Sequence, residues 1–272
     1  MLGHNWYFQT IKKYTTIFGL LFDNINISRT DDAGNEIQAM KVPLSYAGKD
    51  KILARLKQDP AIDRQPAITL PRMSFEMSSL YYNGDRKLDK IGKLVIKGDD
   101  ADSAKIQFNP VPYNFDFRLY VYVKNTEDGL KIVEQIMPFF VPDYTVTAHL
   151  IPEMNVTRDI PISLKNVTME DIYEGNYLDL KNRTIIWTLD FNLQGYIYGP
   201  VMPKPLIKFV KTNFRVAATT ADYSNTVQLP VDTITVQPGL TTNGEPTSNA
   251  TLSINVDDIW VDDDWGVVKI IT

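Results

Sequence analysis

The chain has 272 residues, of which 44% are hydrophobic and 11% aromatic, enough to bury one large core or two small ones. Its 33 acidic residues outnumber its 28 Lys and Arg, and the net charge of -5 lacks the basic balance with which proteins neutralise nucleic-acid phosphates. The absence of cysteine excludes disulfides, thiolate metal sites and a cysteine nucleophile.

The first segment of the chain predicts an amphipathic helix. A helix packed on a sheet is the favoured interpretation, and a helix lying on a membrane surface is the alternative. Lys12 and Lys13 interrupt the apolar run, which argues against a signal peptide, and no stretch reaches the ~18 apolar residues of a membrane span. We therefore expect a soluble protein made inside the cell. The residues predicted to share one helix face are Tyr7, Ile11, Tyr14, Phe18 and Leu21 or Phe22.

Two short strands and a second helix are expected next. Residues 24–28 and 37–42 are predicted strands, joined by a turn rich in Asp and Gly. Residues 45–58 have the spacing of a helix, and Pro60 and Pro66 bracket the connector that follows it.

Alternation of apolar and polar residues marks three strands. The first begins near Met73, the second covers residues 113–123 and the third covers residues 185–194. Between the first two, residues 83–103 are rich in Lys, Asp and Gly and predict an exposed hairpin or loop. A short strand is expected inside it at residues 94–96.

A further helix is predicted for residues 126–140. Thr126 is the predicted N-cap, and the acidic residues after it suit the positive end of the helix dipole. Pro138 and Pro142 mark the end of the helix. Its predicted apolar face consists of Leu130, Val133, Ile136 or Met137, and Phe140.

The remaining segments predict mostly strands. Residues 144–150, 158–164 and 206–216 are strand candidates, and residues 166–182 are predicted to form a long loop or a short helix.

Together these elements predict an α+β fold, a twisted and mostly antiparallel sheet with two or three helices packed on it. The N-terminal helix and the helix at residues 126–140 are expected on one side of the sheet. Residues 1–216 would form this domain. Residues 217–272 are rich in Thr, Asn, Ser, Pro and Gly and predict an extended, partly ordered C-terminal arm.

No catalytic residue, cofactor site or metal site is predicted. The two histidines, His4 and His149, are far apart in the chain, and no phosphate-binding or dinucleotide-binding glycine motif is present. The acids at 99–100 and 257–264 do not match EF-hand spacing, so calcium binding is a minor alternative to a solvated or partner-facing patch. The paired carboxylates of a glycosidase are a weak alternative, because such pairing is spatial.

Two sets of side chains are candidates for contacts with other proteins. Tyrosine is enriched at protein interfaces, and acids beside tryptophans are unusual in a free tail. For the tyrosines, packing under loops of the same chain is an equal alternative. The candidates are Tyr120, Tyr122, Tyr196 and Tyr198, and in the C-terminal stretch Asp257, Asp258, Trp260, Asp262, Asp263, Asp264 and Trp265.

Several segments, taken in order, resemble a known family. They are FGLLFDNINISR, VPLSYAGKDKILARL, LPRMSFEMSSLYYN, NPVPYNFDFRLYVYVKNTEDGLKIVEQIMPFFVPDYTVT, RDIPISL and RTIIWTLDFNLQGYIYGPV. In order and spacing they resemble the tail completion proteins, or tail sheath stabilisers, of T-even-like contractile-tailed bacteriophages. The resemblance covers about residues 1–215, and residues 109–147 are its most specific part.

The resemblance implies a structural protein of the virion, without enzymatic activity or cofactor. Proteins of this family form a hexameric ring that caps the tail at its head-proximal end. The ring ends the polymerisation of the tail tube, holds the extended sheath and offers a docking surface to neck and head-completion proteins. The implied partners are further copies of the chain, the sheath protein, the tube protein and the neck proteins. DNA would pass through the ring without specific binding.

A closed ring requires that one surface of a subunit meets a different surface of the next. We expect an edge strand or the neighbouring helix to make this contact and to bury the candidate tyrosines. The C-terminal arm would add a strand to a neighbour or wrap it, and its acids would pair with basic residues of a sheath or neck subunit. The alternatives are another neck or baseplate adaptor of a contractile machine, and a β-rich carbohydrate-binding or carbohydrate-active protein.

Overall fold

The structure is a computed structural model that describes residues 5–30, 36–57, 69–100, 103–173, 183–214 and 232–272. The chain divides into two units, one of residues 1–88 and 110–198 and one of residues 89–109 and 199–272. The elements in chain order are α1 (Thr10–Phe22), β1 (Asn26–Thr30), β2 (Glu36–Lys41), β3 (Leu44–Tyr46), α2 (Lys49–Lys57), β4 (Arg72–Tyr82), β5 (Lys93–Lys97), β6 (Ser103–Phe108), β7 (Val111–Val123), α3 (Thr126–Ile136), β8 (Asp143–Ile151), β9 (Val156–Tyr173), β10 (Arg183–Ile197), β11 (Met202–Pro205), β12 (Val210–Phe214), β13 (Asp232–Gly239) and β14 (Gly266–Ile271).

A six-stranded sheet with strand order β3-β4-β7-β10-β9-β8 is the framework of the first unit. β3 runs parallel to β4, and every other neighbouring pair is antiparallel. The predicted alternation on β7 and β10 is confirmed: Phe117 lies opposite Phe191 and Leu119 opposite Leu189, with all four side chains buried. The described chain is mostly strand with helices packed on it, in agreement with the predicted α+β class.

α1 buries one stripe of side chains against the centre of this sheet. The ring of Phe18, which is fully buried, stacks on Phe117 with the ring centroids 4.5 Å apart. The predicted amphipathic helix is confirmed, but Tyr7 precedes it and is 74% exposed, and Ile11 is 40% exposed. The buried stripe follows steps of four residues that start at Thr10 rather than at Tyr7. It consists of Thr10, Tyr14, Phe18 and Phe22.

The N-cap of α3 is Asn125 and not the predicted Thr126. The Asn125 side-chain oxygen accepts a hydrogen bond from the Glu127 N–H at 3.4 Å, which satisfies one of the free donors of the first turn. The helix ends at Ile136. Pro138 lies in the short 3-10 turn that follows, Met137–Phe139.

The predicted apolar face of α3 is confirmed in part. Val133 and Ile136 are buried as predicted, whereas Leu130 is 50% exposed and Ile132 is buried instead. The reason is the close approach of Gly129 to the sheet, where a Cβ would stand 2.7 Å from Trp187 Nε1. Contact along Gly129 turns Leu130 outward. Because Trp187 and the Phe18 partners point to the same sheet face, α1 and α3 lie on one side of the sheet, as predicted.

β1 and β2 form the predicted hairpin, and an ion pair attaches it to α3. The Arg29 guanidinium donates two hydrogen bonds to the two carboxylate oxygens of Asp128, at 2.5 and 3.3 Å. Asp128 is 2% exposed, so its charge depends on this partner. The Gln135 side chain adds a hydrogen bond to the Asn26 carbonyl oxygen at 3.0 Å.

The other face of the sheet carries a smaller core next to α2. The hydroxyls of Tyr122 and Ser74 are 3.1 Å apart, and the Tyr120 hydroxyl donates to Glu76 Oε1 at 2.7 Å. Each buried phenol on this face therefore has a polar partner inside the same chain. The buried residues of this cluster are Ala47, Ile52, Tyr120, Tyr122 and Ile186.

Two predicted element boundaries are wrong. Ser45 lies in the parallel strand β3, and α2 begins only at Lys49. Residues 166–173 continue β9 instead of forming a loop or helix, because they pair with β10 as far as Tyr173 opposite Arg183. The turn between β1 and β2, the connector with its two prolines and residues 174–182 lie outside the described residues.

The second unit contains two three-stranded sheets, β11-β6-β5 and β12-β13-β14. The strand predicted at residues 94–96 is confirmed as β5, and the candidate at 206–216 is confirmed in its centre as β12. The predicted boundary between residues 216 and 217 falls in a stretch outside the described residues, so the division into a domain and an arm stays a prediction. Residues 232–272 are described as two paired strands joined by turns.

Replacement of Tyr14 by Phe is expected to destabilise the first unit. The Tyr14 hydroxyl donates to the Tyr196 carbonyl oxygen and accepts from the Tyr196 N–H, both at 2.8 Å. Pro112 lies opposite Tyr196 and has no N–H to offer in its place. We expect Tyr14→Phe to lower the free energy of unfolding by about 1–3 kcal/mol in urea titrations. The exposed Tyr7→Phe is the control, and an equal effect of both substitutions would contradict this role.

The stability of the chain is expected to fall at alkaline pH. Burial, followed by the bonded Glu76, raises the pKa of Tyr120 to about 12, and burial also raises the pKa of Tyr122. An unfolded tyrosine has a pKa near ~10, so this contribution is complete below pH ~10 and is lost as the pH rises towards 12. Unfolding titrations from pH 9 to 12 should show a shallower decline for Tyr120→Phe than for the exposed Tyr82→Phe. Parallel declines would refute the assignment.

Candidate interaction surfaces

The four tyrosines predicted to contact other subunits differ in their surroundings. Tyr120, Tyr122 and Tyr198 are 4%, 0% and 5% exposed in the single chain, so little of their surface is left for a partner. This arrangement matches the alternative in which the tyrosines pack within the same chain. Tyr196 is only partly buried and lines a surface groove, so its role in a protein contact stays a prediction.

The predicted acids and tryptophans of the C-terminus lie on one segment before β14, which we call the acidic segment. Ile259 anchors it at 3% exposure, and Lys208 Nζ donates to the Asp257 carbonyl oxygen at 2.9 Å. The Asp263 carboxylate accepts from the Trp260 N–H at 2.8 Å. The acidic segment therefore has a defined shape. Its predicted contact residues are Asp257, Asp258, Trp260, Asp262, Asp263, Asp264 and Trp265.

The acids of this segment divide into those with a partner and those without one. Asp262 pairs with Lys97 at 3.3 Å, and Lys97 also lies 5.7 Å from the centroid of the Trp260 ring. Within the described part of the chain, the carboxylates of Asp257, Asp258 and Asp264 make no ion pair. Trp265 is 47% exposed. The acidic segment thus presents unpaired carboxylates beside an exposed indole ring.

An apolar groove of about 460 Å³ lies where α1 and α3 end. Phe139 at its edge is 65% exposed, and the nearby Val141 is 80% exposed. Large apolar side chains that stand together on a surface indicate a site of protein contact. The sequence analysis placed these residues at the end of a helix but did not identify the groove. Its main apolar lining is Leu21, Phe22, Ile25, Ile136, Phe139, Phe140 and Tyr144.

A polar groove of about 790 Å³ lies around Tyr196, which we call the arginine groove. The guanidinium carbons of Arg86 and Arg158 stand 4.5 and 5.9 Å from the centroid of the Tyr196 ring. Two carboxylates, of Asp143 and Asp159, line the same groove. Each accepts a hydrogen bond from a neighbouring threonine hydroxyl rather than from an arginine.

The tyrosine backbone in this groove is held from the core side. The main chain of Tyr196 exchanges two hydrogen bonds with the Tyr14 hydroxyl, whose pKa is raised by burial. Burial raises the pKa of Tyr198 as well, and the nearby Arg158 side chain, by polar contact and by its charge, offsets part of that shift. Both hydroxyls therefore stay neutral at physiological pH. The permanent positive charges of the groove are its two guanidinium groups.

Sequence reasoning identified Tyr196 but missed the two arginines beside it. Arg86 ends a short polar turn after β4, and Arg158 lies in β9. Neither position has a local motif, because the pairing of β9 with β10 and the turn after β4 bring them together in three dimensions. To predict that Arg86 and Arg158 lie beside Tyr196, the strand order would have been needed.

Across the described residues, no three His, Asp or Glu side chains stand close enough together to hold a metal ion. In that same part of the chain, no helix is both long and apolar enough to cross a membrane.

Comparison with known proteins agrees with the resemblance noted in the sequence. The family model described as T4-like virus Myoviridae tail sheath stabiliser matches residues 5–271, which includes the C-terminal stretch where the resemblance had ended. The chain is also similar to tail completion protein gp15 of Enterobacteria phage T4. The two are 30% identical over 239 residues, which cover 85% of this chain and 82% of the relative. The chain therefore belongs to the tail sheath stabiliser family of T4-like Myoviridae, and it is a structural protein of the phage tail.

Proposed function

We propose that the chain forms a hexameric ring at the head-proximal end of a contractile tail. The ring ends the tail tube, holds the sheath in its extended state and provides the docking surface for neck and head-completion proteins. The observation that carries this proposal is the family match over residues 5–271, which spans almost the whole chain. The protein acts by binding its neighbours and has no enzymatic step.

The exposed apolar surface of the first unit supports a role in assembly. The apolar groove at the ends of α1 and α3 remains open in the single chain, with Phe139 65% exposed. Covering such a surface stabilises an assembly by roughly 25 cal/mol for each Å² of apolar area removed from water. We assign this groove to a contact with a neighbouring subunit or tail protein.

The charge of the chain supports a passive role toward DNA. At a net charge of -5, a ring built from this chain would have no general attraction for phosphates. DNA can then pass through its opening without being held. The sheath, tube and neck proteins are the partners that we assign to its outer surfaces.

Light scattering tests the ring directly. The purified protein is expected to assemble to about six times 31.0 kDa in solution and to give ring-shaped particles in negative-stain images. If it assembles only on tails that lack it, negative-stain images should show the ring at one end of each tail. The hexamer follows from head-to-tail contacts that close after six copies. A stable dimer both in solution and on tails would contradict the proposal.

A charge placed at the edge of the apolar groove should weaken assembly. Phe139→Asp puts a carboxylate on a surface that we expect to be desolvated, so a tenfold or greater loss of binding to tails is expected. Ile91→Asp is the matched control, because Ile91 is 79% exposed and lies outside this groove. Sedimentation of protein with tails measures the loss, and thermal unfolding checks that both variants are folded. Equal binding by the two variants would remove this groove from the contact surface.

A further inference from the structure

We propose that the arginine groove of one copy binds the acidic segment of the next copy, with a carboxylate of that segment held between Arg86 and Arg158. The groove belongs to the first unit and the acidic segment to the second. The contact is therefore between two different surfaces, as a closed ring requires. This inference rests on the proposed ring and names the residues that close it.

The first argument is that the two arginines have no ionic partner in the part of the chain that the structure describes. Among the described residues, neither guanidinium makes an ion pair, and Arg86 Nη1 is buried without any hydrogen-bond partner. A buried N–H of a charged group with no acceptor is unfavourable, and nearly all such groups in native structures are satisfied. A carboxylate entering the groove would supply the missing acceptor with the geometry that guanidinium prefers.

The second argument is that both arginines stand over the ring of Tyr196. Their guanidinium groups stand within 6 Å of a single ring, whose backbone is held by Tyr14. Stacking on an aromatic ring restrains a guanidinium without using its hydrogen-bond donors. The donors are therefore positioned in advance, which reduces the entropy lost when an anion binds.

The third argument concerns the kind of anion that the groove accepts. Asp143 and Asp159 line the same groove as the arginines, so its formal charge is balanced. The closely spaced phosphates of DNA would be repelled by these carboxylates. A single carboxylate carried by a protein segment can reach the arginines while the rest of the segment lies away from the acids. The groove therefore favours a protein partner.

The chain itself carries a segment with this chemistry. Asp257, Asp258 and Asp264 are exposed and make no ion pair among the described residues, and Trp265 stands exposed beside Asp264. Lys208 and the Asp263–Trp260 hydrogen bond hold the segment in shape, so little order has to be gained on contact. The exposed indole ring next to the carboxylate can also pack against the arginine and tyrosine side chains of the groove.

The test is a reciprocal charge reversal in the full chain. The groove variant carries Arg86→Asp and Arg158→Asp. The segment variant carries Asp257→Lys, Asp258→Lys and Asp264→Lys, and it leaves in place Asp262, which pairs with Lys97, and Asp263, which bonds to Trp260. The control variant reverses two exposed lysines away from the groove, Lys51→Asp and Lys165→Asp. Assembly is measured by light scattering, in whichever setting the unaltered protein assembles.

Each reversed variant alone should need a protein concentration more than about tenfold higher to assemble, whereas the control should behave as the unaltered chain. An equal mixture of the groove and segment variants should assemble again. In an alternating ring of even number, each acidic groove meets a basic segment and each basic groove meets an acidic one. Circular dichroism melts establish that every variant is folded.

Failure of the mixture to assemble, with both variants folded, would overturn the inference, and so would unchanged assembly of either variant alone. Restored assembly of one chain carrying both sets of changes, without rescue by mixing, would place the contact within a single copy and would also overturn it. In all these cases the unaltered protein still forms its ring. If the unaltered protein itself never assembles, the proposed function fails instead, so the two failures are distinguishable.

Discussion

Phe18 is the contact on which the first unit depends. Its ring stacks on Phe117 at 4.5 Å and meets Phe75 and Phe191 at 5.4 and 5.3 Å, so one helical side chain touches three neighbouring strands. Those strands are the centre of the six-stranded sheet. Because aromatic rings bury a large apolar area and pack in few orientations, this cluster fixes both the position of α1 and its rotation.

The rotation of α1 has consequences at both ends of the helix. With Phe18 at the centre, Tyr14 reaches the end of β10 and Phe22 reaches Phe140 beyond α3. The apolar groove opens where Phe22 meets Phe140, since no other element among the described residues covers the rings there. A surface suited to assembly is thus a direct continuation of the core.

The sequence predicted the parts of the fold that local periodicity determines. Strands β7 and β10 were predictable from alternation, because one face of each strand carries a row of buried apolar side chains such as Phe117 and Leu189. The phase of α3 depends on Gly129 meeting Trp187, a contact between distant positions that periodicity does not contain. Of the candidate site, the acidic segment and Tyr196 were predictable from composition. The two arginines and the burial of Tyr122 required the strand register and α2.

The hydrogen bonds between Tyr14 and Tyr196 connect the core to the arginine groove. They hold the backbone of Tyr196 from the core side. The guanidinium groups of Arg86 and Arg158 stand over the Tyr196 ring in the groove. The groove is therefore attached to the buried core of the unit, although its own residues lie at the ends of strands and in a turn. A contact surface built in this way keeps its shape before a partner arrives, and less of the binding free energy is lost in ordering it.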